Sequence, residues 1–197
     1  MLQKKLSHLE IVLASQSPRR QELLKGLDID FRIETRPIEE VFDPQLKAGE
    51  ITAYLSALKA GVFTNDLKEN QVLITSDTIV WLNGAALGKP KTAVEAQQML
   101  QSMSGKMHEV YTSVTFTSTK IQEIITDMTQ VYFKELTLEE IVYYVDTYKP
   151  MDRAGAYGIQ DWIGYTGIEK LNGCYYNVMG LPLPKVYQWL TTNASRL

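Results

Sequence analysis

The sequence is short of the residues that build most small metal and redox sites. It holds one cysteine, Cys174, and two histidines, His8 and His108, among 197 residues. A single cysteine excludes an intrachain disulfide and a cysteine-built metal cluster. It fits a reducing compartment, so a cytoplasmic location is the expectation. No apolar run approaches the roughly 20 residues that a membrane helix needs. Nothing after Met1-Leu2-Gln3-Lys4-Lys5 reads as a signal peptide or a span. Basic residues are not in excess: 20 Lys and Arg stand against 23 Asp and Glu, for a net charge of −3. That argues against bulk nucleic-acid binding, and any basic group that meets phosphate must act locally. There is no internal repeat and no low-complexity linker. What is left is an ordinary globular composition, 45% hydrophobic and 22% charged. Its length suits a single domain over residues 1–197, with room for two lobes around a central cleft.

One stretch breaks a local rule. Glu10 to Ala14 reads as a short buried strand, and Leu23, Leu24 and Leu27 recur beyond it at helical spacing. Between them lies Ser15-Gln16-Ser17-Pro18-Arg19-Arg20. Ser17 suits a helix cap and Pro18 a first turn. The positive end of a helix prefers acids, yet Arg19 and Arg20 stand there. Two cations at that end are unfavourable unless an anion sits among them. Strand, small polar turn, helix start and two guanidiniums together describe a phosphate cradle, with Ser15 as a further donor. The alternative is a pair of solvated surface arginines.

The rest of the chain alternates strand and helix signals. Phe31 to Thr35 reads as a strand, and Ile38 to Pro44 as a loop with clustered carboxylates, Glu40 among them. Glu50 to Phe63 reads as a helix with Ile51, Tyr54, Leu55, Leu58 and Val62 on its apolar face. Lys59 lies near the edge of that face, where a snorkelling lysine is ordinary. Gln71 to Ser76 is a buried strand running into Asp77-Thr78-Ile79-Val80. A carboxylate at the end of an apolar strand is costly without a partner, and ligands gather at such strand ends in open α/β sheets. Asp77 is therefore the leading candidate for chemistry; a turn cap is the competing role.

Asn83-Gly84 marks a hairpin. Gly88-Lys89-Pro90 imitates a Walker A loop with Gly84, but the spacing is one residue short and Pro90 replaces the magnesium-binding hydroxyl. A P-loop NTPase is excluded, although Lys89 can still reach a phosphate. Thr92 to Glu95 forms a capping box for a helix to Met103, with Val94, Met99 and Met103 inward. Met107–Thr119 and Gln122–Leu136 read as a long antiparallel pair. His108 opens the first of these and reads as structural. Thr137 caps a helix to Tyr148, and Leu183 to Leu190 form the last helix. In Asp152 to Gln160, glycines surround long polar residues. Such a segment either brings backbone close to a flat ligand, with Gln160 donating and accepting, or is a tight core crossing.

Taken together, LASQSPRR, SDTIV, GKP, SGKMHEV, DRAGAYGIQ and GCYYNVMGLPL resemble, in order, the motifs of the Maf (septum-formation) family. The resemblance covers nearly the whole chain. It implies an α/β fold, an elongated mixed β-sheet flanked by helices, related to inosine triphosphate pyrophosphatases. It implies a metal-dependent enzyme that cleaves nucleoside triphosphates to a monophosphate and pyrophosphate, with no nucleic-acid or membrane partner and a homodimeric state. Asp77-Thr78 with Ala154 to Gln160 resembles the branch acting on dTTP and UTP; the branch acting on 7-methyl-GTP has Asp-Gln in the central motif. Carried over, Asp77 is the general base, Ser15, Arg19, Arg20, Lys59 and Lys89 bind phosphate, and Glu40 and Asp77 hold Mg²⁺ or Mn²⁺. Arg19, Thr78 and Gln160 are tied to substrate choice. The chain departs from the family pattern at Glu39 (usually Asp), Ser113 (often Gly), Arg153 (Lys) and Asp161 (often Gly). Two readings compete with the dTTP/UTP enzyme. One is a non-catalytic nucleotide-binding regulator of septum formation; the other is a 7-methyl-GTP pyrophosphatase.

Overall fold

In the computed structural model, which describes residues 1–197, one mixed sheet carries every strand. The elements run α1 (Leu2–Lys5), β1 (Glu10–Leu13), α2 (Pro18–Lys25), β2 (Phe31–Ile33), α3 (Gly49–Gly61), β3 (Gln71–Leu82) and β4 (Ala85–Leu87). They continue with α4 (Ala93–Met103), β5 (Met107–Thr117), β6 (Gln122–Phe133), α5 (Leu138–Tyr148), α6 (Trp162–Gly167), β7 (Ile168–Asn172), α7 (Tyr175–Val178) and α8 (Leu183–Asn193). The sheet order is β2-β1-β3-β5-β6-β7, with β4 paired to β3. The β2-β1-β3 edge is parallel, and the remainder is antiparallel. The expected α/β class with a mixed sheet flanked by helices is what forms. No helix is long and apolar enough to cross a membrane.

The length of β3 decides where the site falls. Residues 71–74 pair in parallel with β1, whereas residues 73–81 pair antiparallel with β5. Asp77 is therefore in mid-strand, not at a strand end as the apolar run before it implied. It does lie beyond the last residue that β1 reaches, so the carboxyl end of β1 opens beside it. Asn83 (φ 51°) and Gly84 (φ 82°) turn the chain into β4, as an Asn-Gly hairpin turn requires. Thr137 with Glu140 forms the expected reciprocal box, whereas Thr92 Oγ1 accepts from the Glu95 N–H but Glu95 Oε2 accepts from the Lys91 N–H, so the expected box there does not close.

Two large apolar clusters flank a polar middle. One gathers α1, α2 and α8 around β1 and the start of β3, with Phe116 stacked on Trp189. The other gathers α4, α5 and residues 156–163 around the far half of β3, β5 and β6. Between them runs a band of buried hydroxyls and one acid, Thr75, Ser76, Asp77, Thr112, Ser113 and Thr115. This band rotates α3 away from its expected face. Tyr54 and Val62 are exposed, while Thr52 and Ser56 are fully buried. Thr52 Oγ1 and Ser113 Oγ share a hydrogen bond at 2.7 Å, and Thr115 donates to Ser56 Oγ at 2.8 Å. Paired hydroxyls bury almost as readily as apolar groups, and unpaired ones cost about 1–3 kcal/mol each. In α4, Val94 is likewise exposed and Ala96 and Leu100 take the core positions.

Candidate active site

The site begins at the start of α2. Ser17 caps the helix by accepting from the Arg20 N–H, and Ser15 Oγ, itself buried, accepts from the Ser17 N–H at 3.2 Å. No acid occupies the first turn. Arg20 turns inward. Its Nε donates to the Gly180 carbonyl at 2.8 Å, Nη1 to the Ser76 carbonyl at 2.9 Å, and Nη2 to Thr78 Oγ1 at 2.9 Å. Burial disfavours its charge and lowers its pKa, with the Asp77 carboxylate opposing. An arginine remains charged all the same. Every acceptor on this guanidinium is neutral, so a partly buried positive charge is left for an anion, with two of its five N–H groups still free. Arg19 behaves differently. It reaches across the cleft to Asp152 Oδ2 at 2.8 Å, and Arg19 holds that carboxyl below its usual range against the opposing effect of burial.

The polar face of α3 delivers Lys59 to Asp77. Lys59 Nζ lies 2.6 Å from Asp77 Oδ1 and 3.0 Å from Glu40 Oε1. Lys59 is thus a partly buried bridge, with 15% of its side chain exposed, and not a snorkelling residue. Burial works against the charge on Glu40, yet Lys59, with Lys89 and Arg20 beyond, holds its carboxyl below the ordinary range. Two hard carboxylates converge on one cation position. No cluster of three or more His, Cys, Asp or Glu side chains exists that could cage a metal without further ligands.

These groups sit where two compartments of one cleft meet. The first, about 440 Å³, is lined by Ser15, Gln16, Ser17, Thr35 and Arg36. The second, about 590 Å³, is lined by Asp77, Thr78, Val80, Tyr157, Gln160 and Met179. Arg19, Arg20, Glu40, Lys59, Lys89 and Asp152 border both. Every candidate residue read from the sequence therefore lies on the cleft. Lys89 is exposed and has no ion-pair partner. Gln160 Oε1 is buried without any hydrogen-bond partner. Such an orphaned acceptor is costly and fits a ligand N–H.

Residues 10–193 match the family of Maf-like proteins. The chain belongs to the Maf family. It is 54% identical over 192 residues to the dTTP/UTP pyrophosphatase of Flavobacterium johnsoniae, spanning 98% of this chain and 99% of that one. It is 56% identical over 190 residues to the protein of the same name from Christiangramia forsetii, with 96% and 97% covered. A relative from Bacteroides thetaiotaomicron, also a dTTP/UTP pyrophosphatase, is 48% identical over 92% of this chain and 95% of its own. Among solved structures, the Staphylococcus aureus Ham1 protein is similar over 63% of this chain and 71% of its own, with 14% identity and a TM-score of 0.47.

Against the Maf pattern, two of the departures in this chain meet each other. Arg153 pairs with Asp161 across the glycine-rich segment. The Tyr144 hydroxyl donates to Asp161 Oδ2 at 2.7 Å and accepts from Arg153 Nη1 and the Gly158 N–H, both at 3.1 Å. A side chain at Gly158 would clash with Arg153, and one at Gly155 would meet Val80 at 2.7 Å. The segment is both a tight crossing and a cleft wall. A third departure, Ser113, joins Thr52 and Thr126 in the hydroxyl band. His108 is buried, bonded through Nε2 to Tyr157 Oη at 2.7 Å, and burial lowers its pKa to about 4. It is neutral and structural, as its position implied. Tyr144 and Thr112 went unread in the sequence, and Asp152 was read only as the start of the glycine-rich segment. Asp152 carried one usable signal, an acid beside Arg153 at the mouth of a glycine-rich run.

Proposed function

We propose that this chain hydrolyses dTTP and UTP to the nucleoside monophosphate and pyrophosphate. The observation that carries the reading is the meeting of Asp77 and Glu40 on Lys59 Nζ, at 2.6 and 3.0 Å, at the junction of the two compartments. A triphosphate lying across that junction places its phosphates by the α2 N-terminus and its base by Gln160. The names of relatives 54% and 56% identical over nearly the whole chain support the same substrates.

The division of labour follows from position. Arg20, Arg19, Lys89 and the capped helix end neutralise the phosphate chain, and Ser15 adds a hydroxyl donor. Lys59 engages Asp77 Oδ1, and no protein donor bonds to Oδ2. Oδ2 takes the proton from the attacking water. One P–O bond of the α–β anhydride breaks, water supplies the replacement oxygen, and pyrophosphate leaves. The carboxylates of Glu40 and Asp77 suit Mg²⁺ or Mn²⁺ completed by phosphate oxygens and water, and the ion would supply further charge neutralisation. Uracil and thymine present an N–H between two carbonyls. That N–H satisfies Gln160 Oε1, which has no protein partner.

The test is pyrophosphate release by the purified protein with excess Mg²⁺ or Mn²⁺. The expected outcome is the highest kcat/KM for dTTP and UTP against CTP, GTP and 7-methyl-GTP. Preference for 7-methyl-GTP would overturn the base assignment. Binding without turnover for every triphosphate would overturn the enzyme.

A further inference from the structure

The direction of one hydrogen-bond chain is fixed by chemistry alone. Arg20 Nη2 can only donate, so Thr78 Oγ1 accepts from it at 2.9 Å. Thr78 Oγ1 also lies 2.9 Å from Thr112 Oγ1, where either could donate. Thr112 Oγ1 lies 2.9 Å from the Asn177 carbonyl, which can only accept. The single proton of Thr112 therefore goes to Asn177, and Thr78 must give its own proton to Thr112. The order is Arg20 to Thr78 to Thr112 to the Asn177 carbonyl, with no freedom to reverse.

The far end of this chain is held rigidly. Thr112 and Asn177 are both fully buried. The Asn177 amide donates to the Val110 carbonyl and to Thr129 Oγ1, both at 2.9 Å, which pins α7 to β5 and β6. Three residues on, the Gly180 carbonyl takes Arg20 Nε directly. Gly180 has φ +107°, and a side chain there would lie 3.4 Å from Arg20 Nε and 3.5 Å from Thr78 Oγ1. One short segment thus meets the same guanidinium twice, once directly and once through two hydroxyls.

We infer that Thr112 and Asn177, neither of which lines the cleft, are positioning residues that aim Arg20 at the substrate phosphates through Thr78. This rests on the phosphate role proposed above for Arg20. It gives Thr78 a second duty. Its hydroxyl is spent on Arg20 and Thr112 and has no proton for a base, so Thr78 acts on phosphate through its hydroxyl and on the base only through its size.

The experiment compares Thr78→Val, Thr78→Ser, Thr112→Val and Thr112→Ser with the parent. Calorimetry measures pyrophosphate affinity, and kinetics measures KM for UTP. Valine keeps the shape and removes the hydroxyl; serine keeps the hydroxyl. Both valine variants are expected to bind pyrophosphate about tenfold more weakly, with a matching rise in KM. Both serine variants are expected to keep the parent's pyrophosphate affinity, and Thr112→Ser, away from the cleft, also keeps its KM. Thr78 is only half-buried, so Thr78→Val gives a folded variant even if Thr112→Val does not. Valine variants that bind pyrophosphate like the parent would overturn the inference. Equal loss in the valine and serine variants would do so too, since shape and not the hydroxyl would then matter. A parent that binds no pyrophosphate would instead overturn the phosphate site itself, and the inference with it.

Discussion

At one end of the cleft, the central groups come from neighbours in sequence, the turn after β1, the cap of α2 and its two arginines, with Lys89 added from the loop after β4. At the other end, Thr78, Tyr157, Gln160 and Met179 arrive from β3, the glycine-rich segment and the turn after α7. The phosphate end is charged and largely locally encoded. The base end is more apolar and is assembled by packing. A phosphate has little shape to recognise and much charge, so a helix terminus and a few cations suffice. A base offers little charge and a fixed hydrogen-bond edge, so its site needs rigid walls. The arrangement predicts that changes at the junction stop the chemistry and changes at the phosphate end weaken all triphosphates alike. Changes at the base end should alter choice or local stability.

The largest effect belongs to the junction. Asp77→Asn keeps the shape of a buried side chain and removes its basicity. Turnover should fall about 10²–10⁴-fold while triphosphate affinity changes little. Steady-state kinetics with a binding isotherm checks both halves. Near-normal kcat would remove Asp77 from the chemistry and erase the boundary between the two ends.

The next effect tests the packing of the base end through pH. His108 has a folded pKa of about 4 against 6.5 for the free side chain, because burial opposes its charge. Between these values the unfolded chain binds the proton and the folded chain does not. Stability is therefore unaffected above pH 6.5 and declines as pH falls toward 4, by at most roughly 3 kcal/mol. Urea unfolding at pH 7 and pH 4.5 measures the slope, and His108→Gln should flatten it. An unchanged slope in that variant would separate His108 from the acid sensitivity of this end.

How much of this was legible follows the same division. The strand, turn and helix around Ser15 to Arg20 could be read because cap, proline and misplaced cations lie within six positions. The Asn83-Gly84 turn and the Thr137 box were equally local. The face of α3 was not readable, because Thr52 and Ser56 look polar until Ser113 and Thr115 on another strand pair with them. Asp77 was found for a partly mistaken reason. It looked terminal because the apolar run stops there, but β3 continues because β5 replaces β1 as its partner. The Arg153–Asp161 pair spans seven intervening residues and needs Tyr144 from α5 to make sense.

At the phosphate end, the two adjacent arginines should differ. Arg20→Ala removes a partly buried cation whose acceptors are all neutral, so the lost phosphate contact is worth about 1.5–3 kcal/mol and three acceptors lose a donor. Arg19→Ala removes a residue that must first release a half-exposed Asp152, and exposed pairs are worth little. KM should therefore rise more in Arg20→Ala than in Arg19→Ala, and by similar factors for UTP, dTTP and CTP. Equal effects of the two substitutions would mean that burial does not set the strength of this site. A base-dependent effect would break the separation of the two ends.

The smallest expected change is also the one that most sharpens the comparison. Gln160 carries a buried Oε1 with no partner in the protein. An unpaired acceptor of that kind is a cost that the fold carries until an N–H arrives. The ring N–H of uracil or thymine supplies one, whereas cytosine has only an acceptor at the equivalent ring nitrogen. A site that must leave its own acceptor unpaired discriminates through that loss, and a neutral hydrogen bond is worth roughly 0.5–1.5 kcal/mol. Gln160→Ala should therefore lower the ratio of kcat/KM for UTP over CTP by up to about tenfold, and change pyrophosphate affinity hardly at all. Gln160→Glu restores an acceptor but brings a charge into a partly buried wall beside Asp161, so it should not restore full turnover. Competition kinetics with mixed UTP and CTP measures the ratio directly. If Gln160→Ala slows both substrates equally, the orphaned oxygen serves the fold of the segment and not the choice of base.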